Sequence, residues 1–105
     1  MNKMLALVAL ATLSAPTLAA DPAAAMELAK KSGCLACHSI ETKMVGPAWK
    51  EVSKKYAGDA TAAEQLIVKV KKGTNGTWGT VPMPPNATVK NDDIKTLVDF
   101  VLSLK

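Results

Sequence analysis

The sequence predicts a small all-α domain of about four helices, and three observations carry that expectation. Two segments place apolar residues at i, i+3, i+4 and i+7, the period of one helix face. No segment alternates with the two-residue period of a half-buried strand. Cap and terminator residues divide the chain into helix-sized pieces. The 105 residues allow one domain.

The first twenty residues read as a secretory signal peptide. Lys3 supplies a short positive start, residues 4–13 are almost wholly apolar, and small residues fill 14–20. The apolar run is too short and wrongly flanked for a membrane span. Cleavage is expected after Ala20, with Ala19 as the alternative, leaving residues 21–105 as the domain and the periplasm as its destination. No membrane span is expected in the mature chain.

The first helix is expected over residues 22–31, with Asp21 as cap, Pro22 at the first position and Gly33 just past the end. A shorter second helix is expected over residues 47–56, stopping before Gly58. Thr61-Ala62-Ala63-Glu64 has the pattern of a capping box and opens the third. Its apolar face is Ala63, Leu66, Ile67 and Val70; Lys69, Lys71 and Lys72 complement its C-terminal dipole, and Gly73 ends it. Asn91 is expected to cap the fourth, whose stripe is Ile94, Leu97, Val98, Val101 and Leu102. Residues 73–90 form a long loop, stiffened by Pro82, Pro84 and Pro85 around Met83.

Composition narrows the function. All thirteen basic residues are lysine, and without Lys3 twelve face nine acids. So mild an excess, without arginine or clustered stacking aromatics, argues against nucleic acid. It suits electrostatic steering towards an acidic partner. About 85 residues with only Trp49, Trp78, Tyr56 and Phe100 as aromatics make a thin core. A domain this small usually needs a staple, and a large apolar cofactor would supply one.

The motif Cys34-Leu35-Ala36-Cys37-His38 has the C-x-x-C-H form of c-type haem attachment. Two cysteines three positions apart reach two vinyl groups on one porphyrin edge, and the adjacent histidine is directed at the iron. A disulfide would leave His38 unexplained, and a thioredoxin-like pair needs a βαβ pattern. A closed zinc site needs four ligands, and there is neither a third cysteine nor a second histidine. The iron's second axial ligand is assigned to Met83. Met26 belongs to a helix and is read as core, and Met44, six residues from His38, is too close to cross the ring edge. Met83 is 45 residues from His38, far enough for the chain to wrap the porphyrin. A soft, neutral thioether raises the reduction potential, and two filled axial positions leave no room for substrate. The expected molecule is therefore an electron carrier and no enzyme or gas sensor.

The attachment segment, the stretch Lys43-Met44-Val45-Gly46-Pro47-Ala48 and the loop Gly76-Thr77-Trp78-Gly79-Thr80-Val81-Pro82-Met83-Pro84-Pro85-Asn86 together resemble the small bacterial class I cytochromes c, most closely the cytochrome c-551 group. The resemblance implies a small cytochrome c fold wrapped round one covalently bound haem c. It gives Pro47 the role of accepting a hydrogen bond from the proximal imidazole and Trp78 that of donating to a haem propionate. It places the Asn86 amide on the methionine sulfur. Trp49, where tyrosine is more usual, and Tyr56 are expected to line the haem pocket. Lys69 stands where an arginine near a propionate is common, keeping the charge without the planar fork.

The resemblance also implies partners. A quinol-oxidising complex or another cytochrome would donate the electron, and a haem-containing nitrite reductase or an oxidase would accept it. Docking is expected at the haem edge beside Cys34 and the Met83 loop. Lys30, Lys31, Lys43 and Lys50 are the candidate steering charges, and the carrier is expected to be a monomer.

Overall fold

The structure, a computed structural model, describes residues 21–105 together with Ala9. The expected signal peptide and its cleavage point lie outside the described residues. Four helices follow in order: α1, Pro22–Lys31; α2, Trp49–Lys55; α3, Ala62–Lys72; and α4, Asn91–Ser103. A short 3-10 turn, Cys34–Ala36, links α1 to the rest. Among the described residues the only β pairing is a single antiparallel bridge between Thr74 and Met83.

α4 is the axis of assembly, packing against α1, α2 and α3. Of its expected stripe Ile94, Leu97, Val98 and Val101 are buried and Leu102 only half-buried; Phe100 is buried as well, and Ile94 is wholly sealed from solvent. Ala25 and Ala29 of α1 are also fully buried. Their small side chains let α1 approach closely where larger ones would hold it off. Met26 packs at the edge of this core, in keeping with its reading as a packing residue.

The helix ends follow the sequence signals unevenly. Asp21 accepts from the Ala23 N–H at 3.1 Å and Pro22 opens α1. Gly33 takes φ 81°, the left-handed conformation that reverses the chain into Cys34. α2 starts at Trp49, two residues later than expected, with Ala48 as its cap. No cap side chain is needed there. The Trp49 and Lys50 N–H groups donate to the Ser39 and Ile40 carbonyls at 2.9 and 3.0 Å, which supplies partners for a helix start.

Two cap assignments are corrected. Thr61 occupies the cap of α3 but makes no side-chain cap bond; its hydroxyl donates to Asp59 Oδ1 at 2.8 Å instead. Asp59 also takes the Thr61 N–H at 2.8 Å and the Gln65 amide at 3.1 Å. The acid two residues upstream therefore replaces the reciprocal capping box. At α4, Asn91 is the first helical residue and Lys90 the cap, so Asp92 and Asp93 carry the favourable first-turn charge alone. The far end of α4 is held by a buried hydroxyl. Ser53 Oγ faces the Leu104 and Leu102 carbonyls at 2.7 and 3.1 Å, tying α2 to the last turn.

Hydrogen bonds from the Thr61 backbone and hydroxyl, then from Gln65, hold the Asp59 carboxyl below its ordinary value of 3.8. Because the folded value is depressed, its stabilisation is complete above pH 3.8 and is lost as pH falls through the lower folded value. Asp59→Asn should flatten the acid limb of the stability profile below that pH, as thermal unfolding followed across the acid range will show.

Candidate functional site

A single cleft gathers most of the residues singled out by the sequence. It is lined by Cys34, Cys37, His38, Trp49, Lys69, Trp78 and Met83 among others, and encloses about 1020 Å³ between atoms, counted out to its open mouth. Its floor is apolar: Val52, Leu66, Val70, Leu97, Val98 and Val101 reach it from α2, α3 and α4. The inward stripes of α3 and α4 thus face the cleft as well as each other.

The cysteine end is built by the turn after α1. The Cys37 and His38 N–H groups both donate to the Cys34 carbonyl, at 3.2 and 3.0 Å. That one turn brings both thiols to the same cleft as the imidazole. The cysteines are unpaired and half-buried. Burial pushes the Cys34 thiol above its ordinary value of 9.0, against a smaller opposing effect of a backbone hydrogen bond. A thiol held protonated in this way is unlike the depressed thiolate of a catalytic redox pair.

His38 is fixed on three sides. Its Nδ1 lies 2.8 Å from the Pro47 carbonyl. A carbonyl only accepts, so Nδ1 carries the proton and a neutral ring keeps its lone pair at Nε2. Trp49 stacks along the ring at 5.8 Å and 25°, and itself meets Phe100 of α4 edge-on at 6.1 Å. Gly46 closes the third side. A Cβ there would stand 2.6 Å from His38 Cε1 and 2.9 Å from Nδ1. The sequence marks Gly46 only as part of a motif; its steric necessity comes from the tertiary position of the imidazole.

Met83 is presented by a braced loop. Thr74 and Met83 exchange backbone hydrogen bonds of 3.0 and 2.9 Å, which closes the loop on itself. Gly73, at φ 81°, lies so close that a Cβ would be 2.5 Å from the Met83 carbonyl. Asn86 adds a second brace. Its backbone N–H and its amide both donate to the Val70 carbonyl at 3.1 Å, and the amide lies 3.4 Å from the Pro84 carbonyl. Among the described residues these backbone carbonyls are the amide's partners, where the resemblance placed it on the methionine sulfur.

The remaining expectations divide. Trp49 and Trp78 line the cleft, whereas Tyr56 does not: it is buried at the C-terminal end of α2 and meets the cleft through Lys69. Lys69 Nζ donates to the Tyr56 hydroxyl at 3.0 Å. Lys55, which no sequence pattern singles out, lies 5.2 Å over the Trp78 ring. Of the candidate steering lysines, Lys30, Lys31 and Lys43 are exposed, but Lys50 is engaged by Glu41 at 2.7 Å. That pairing sets a carboxylate against its charge and holds the Glu41 carboxyl below its ordinary range.

The donor set fits a covalently held haem. Two thiols, a histidine with Nε2 available and a thioether share one apolar cleft, and the single charged lining residue is a cation. Gly46→Ala, which must push the imidazole off its Pro47 partner, should cost about 1–3 kcal/mol of stability in denaturant unfolding.

Comparisons with known proteins agree with this geometry. The family model described as Cytochrome c matches residues 22–105. The chain is 53% identical over 91 residues to the cytochrome c-551 of Allochromatium vinosum, covering 87% of this chain and 97% of that one. It is 50% identical over 103 residues to the cytochrome c-551 of Pseudomonas aeruginosa, covering 97% and 95% respectively. The crystal structure of wild-type Nitrosomonas europaea cytochrome c552 superposes with a TM-score of 0.74 at 51% identity, covering 76% of this chain and 99% of that one. The chain therefore belongs to the cytochrome c family, as a small all-α class I member near the c-551 group that carries one covalent haem c and serves as an electron carrier, not an enzyme.

Proposed function

We propose that the protein is a periplasmic single-electron carrier whose haem is attached through Cys34 and Cys37 and ligated by His38 and Met83. The observation that carries this reading is the convergence of all four side chains on one cleft, with His38 oriented by Pro47 so that Nε2 is its free donor. When bound, the haem supplies an iron that alternates between ferrous and ferric states.

The protein's residues determine how that change is used. Cys34 and Cys37 hold the group permanently, so no dissociation accompanies turnover. The Pro47 carbonyl, the Trp49 ring and the Gly46 backbone hold the imidazole in one orientation. The Thr74 bridge and the Asn86 amide hold Met83 equally firmly. Two ligands kept in place whatever the charge of the iron give a small reorganisation, which fast electron transfer requires. His38 and Met83 together would hold the iron and leave it no free position for a substrate, as suits a carrier.

Access is through the mouth of the cleft. Val45 and Val81, 57% and 60% exposed, line it and offer a partner an apolar contact beside the haem edge. Lys30, Lys31 and Lys43 contribute positive charge for steering towards an acidic partner. A quinol-oxidising complex or another cytochrome would be the donor, and a haem-containing nitrite reductase or an oxidase the acceptor. Residues 1–20 direct export and are removed after Ala20, and the released carrier acts as a monomer. Among the described residues no helix is long and apolar enough to cross a membrane.

Spectroelectrochemical titration tests the ligation. The native protein should give one single-electron wave and a sulfur-to-iron charge-transfer band. Met83→Ala should abolish that band and lower the potential, because the lost thioether favoured ferrous iron. An unchanged band and potential would remove Met83 from the site. The docking reading is tested separately: electron exchange with an acidic partner should slow as salt rises, and a rate independent of ionic strength contradicts it.

A further inference from the structure

The loop that carries Met83 also holds an asparagine followed by a glycine, Asn75-Gly76, which neither attachment nor ligation uses. Both residues are exposed and lie outside every helix, in a run of bends between α3 and Met83. Gly76 takes φ 83°, and nothing stands within 4 Å of the place a Cβ would occupy. Among the described residues neither the Asn75 amide nor the Gly76 N–H has a hydrogen-bond partner.

These are the conditions under which an asparagine side chain closes on the backbone that follows it. The Gly76 nitrogen gives up its proton and bonds to Asn75 Cγ; the side-chain amide leaves as ammonia, and a cyclic imide remains. Water then opens the imide at one carbonyl or the other, giving aspartate or isoaspartate. One water enters and one ammonia leaves, and no oxidant or reductant is needed. A glycine nitrogen is the least hindered for this attack, because no side chain flanks it. An N–H held in a hydrogen bond would resist losing its proton, and that of Gly76 is not so held. The other described asparagines lack these conditions. The Asn86 amide is fastened by the Val70 and Pro84 carbonyls, Asn91 opens α4, and the residues after them, Ala87 and Asp92, carry side chains.

We propose that Asn75-Gly76 is a site of spontaneous deamidation, and that its isoaspartate product loosens the brace on Met83. Asn75 directly follows Thr74, whose carbonyl takes the Met83 N–H at 2.9 Å. Residues 75–82 are therefore the loop closed by that bond, and Trp78, Val81 and Pro82 among them form part of the cleft wall. Isoaspartate runs the main chain through the former side chain and lengthens this closed loop by one methylene, so the bridge or the wall must shift. Both products also set a carboxylate on the loop that carries the exposed Val81, where it opposes the approach of an acidic partner. The effect on Met83 rests on its ligation of the haem iron as proposed above; the deamidation itself does not.

The test incubates the haem-loaded protein in warm, mildly alkaline buffer, beside Asn75→Gln, Asn75→Asp and a synthetic peptide of residues 72–79. Peptide mass mapping should show the protein gaining close to one dalton at Asn75 well before Asn86 or Asn91, with part of the product open to enzymatic methylation of isoaspartate. Asn75→Gln, whose longer side chain would have to close a larger ring, should lose that gain. A protein that gains nothing at Asn75 while the peptide deamidates, or that gains equally at Asn86, overturns the site. Cyanide reaches the oxidised haem iron only when the sulfur leaves it, so its uptake reports the brace. The isoaspartate fraction should take up cyanide several-fold faster than unaged protein, whereas Asn75→Asp, with the charge but not the longer backbone, should keep the native rate. Native uptake by the isoaspartate fraction overturns the link to Met83. Absence of the sulfur-to-iron band from the unaged protein would instead overturn the Met83 ligation and leave the mass result standing.

Discussion

The hydrogen bond from His38 Nδ1 to the Pro47 carbonyl is the constraint on which the rest of the site depends. It is a local contact, nine residues apart, yet it sets three things together. It assigns the ring proton to Nδ1 and leaves Nε2 available. It requires Gly46 to pass against the imidazole, where a side chain has no room. It also brings the segment after the cysteines alongside the start of α2, whose first N–H groups are received by Ser39 and Ile40. A helix terminus that would otherwise need a capping side chain is completed by the same stretch of backbone that carries the histidine. Trp49, the first residue of α2, is thereby placed on the imidazole and passes its other edge to Phe100. Ligand orientation and core packing are consequently parts of one arrangement.

The second half of the site follows a different principle. Met83 belongs to no helix, and an irregular loop would ordinarily leave it mobile. Here the loop is closed on itself by the Thr74–Met83 bridge just past α3, and fastened to the last turn of α3 by the doubled contact of Asn86 with the Val70 carbonyl. Val70 lies in the last turn of α3, where carbonyls lack helical partners. One such carbonyl is satisfied by the loop it steadies. The resemblance led to an Asn86 amide on sulfur, whereas in this structure it secures the backbone that carries the sulfur.

The features legible in the sequence are those that depend on nearby residues. The cysteine and histidine spacing, the cap of α1 and the stripe of α4 are all consequences of a few neighbouring positions, and each reappears in the structure. Cap identities at α3 and α4 are less legible. Asp59 and Thr61 both offer oxygen acceptors within one turn, and choosing between them depends on how the preceding turn closes. Tyr56 suggests a cleft residue because it is aromatic and lies near Trp49. Seven positions at the helical rise carry it about 10 Å along the axis from Trp49, and it acts through Lys69 instead. Lys55 and Gly46 are least legible of all. Their significance comes from Trp78 and His38, which only the folded chain brings against them.

The thin aromatic content of the chain acquires a physical meaning at this point. α4 buries Ile94 wholly within protein, yet Leu97, Val98 and Val101 of the same helix also form the cleft. Leu66 and Val70 do the same from α3, and Val52 from α2. The helices thus converge both on a core of their own side chains and, continuous with it, on an open apolar cleft. An occupant that binds the folded chain and not the unfolded one stabilises the fold by mass action, and a covalent occupant cannot be diluted away. Attachment through Cys34 and Cys37, as proposed, would make the cofactor a permanent part of a core that so short a chain, 105 residues in all, would otherwise leave thin. On that reading the two residues that hold the electron-carrying group would also help so short a chain stay folded.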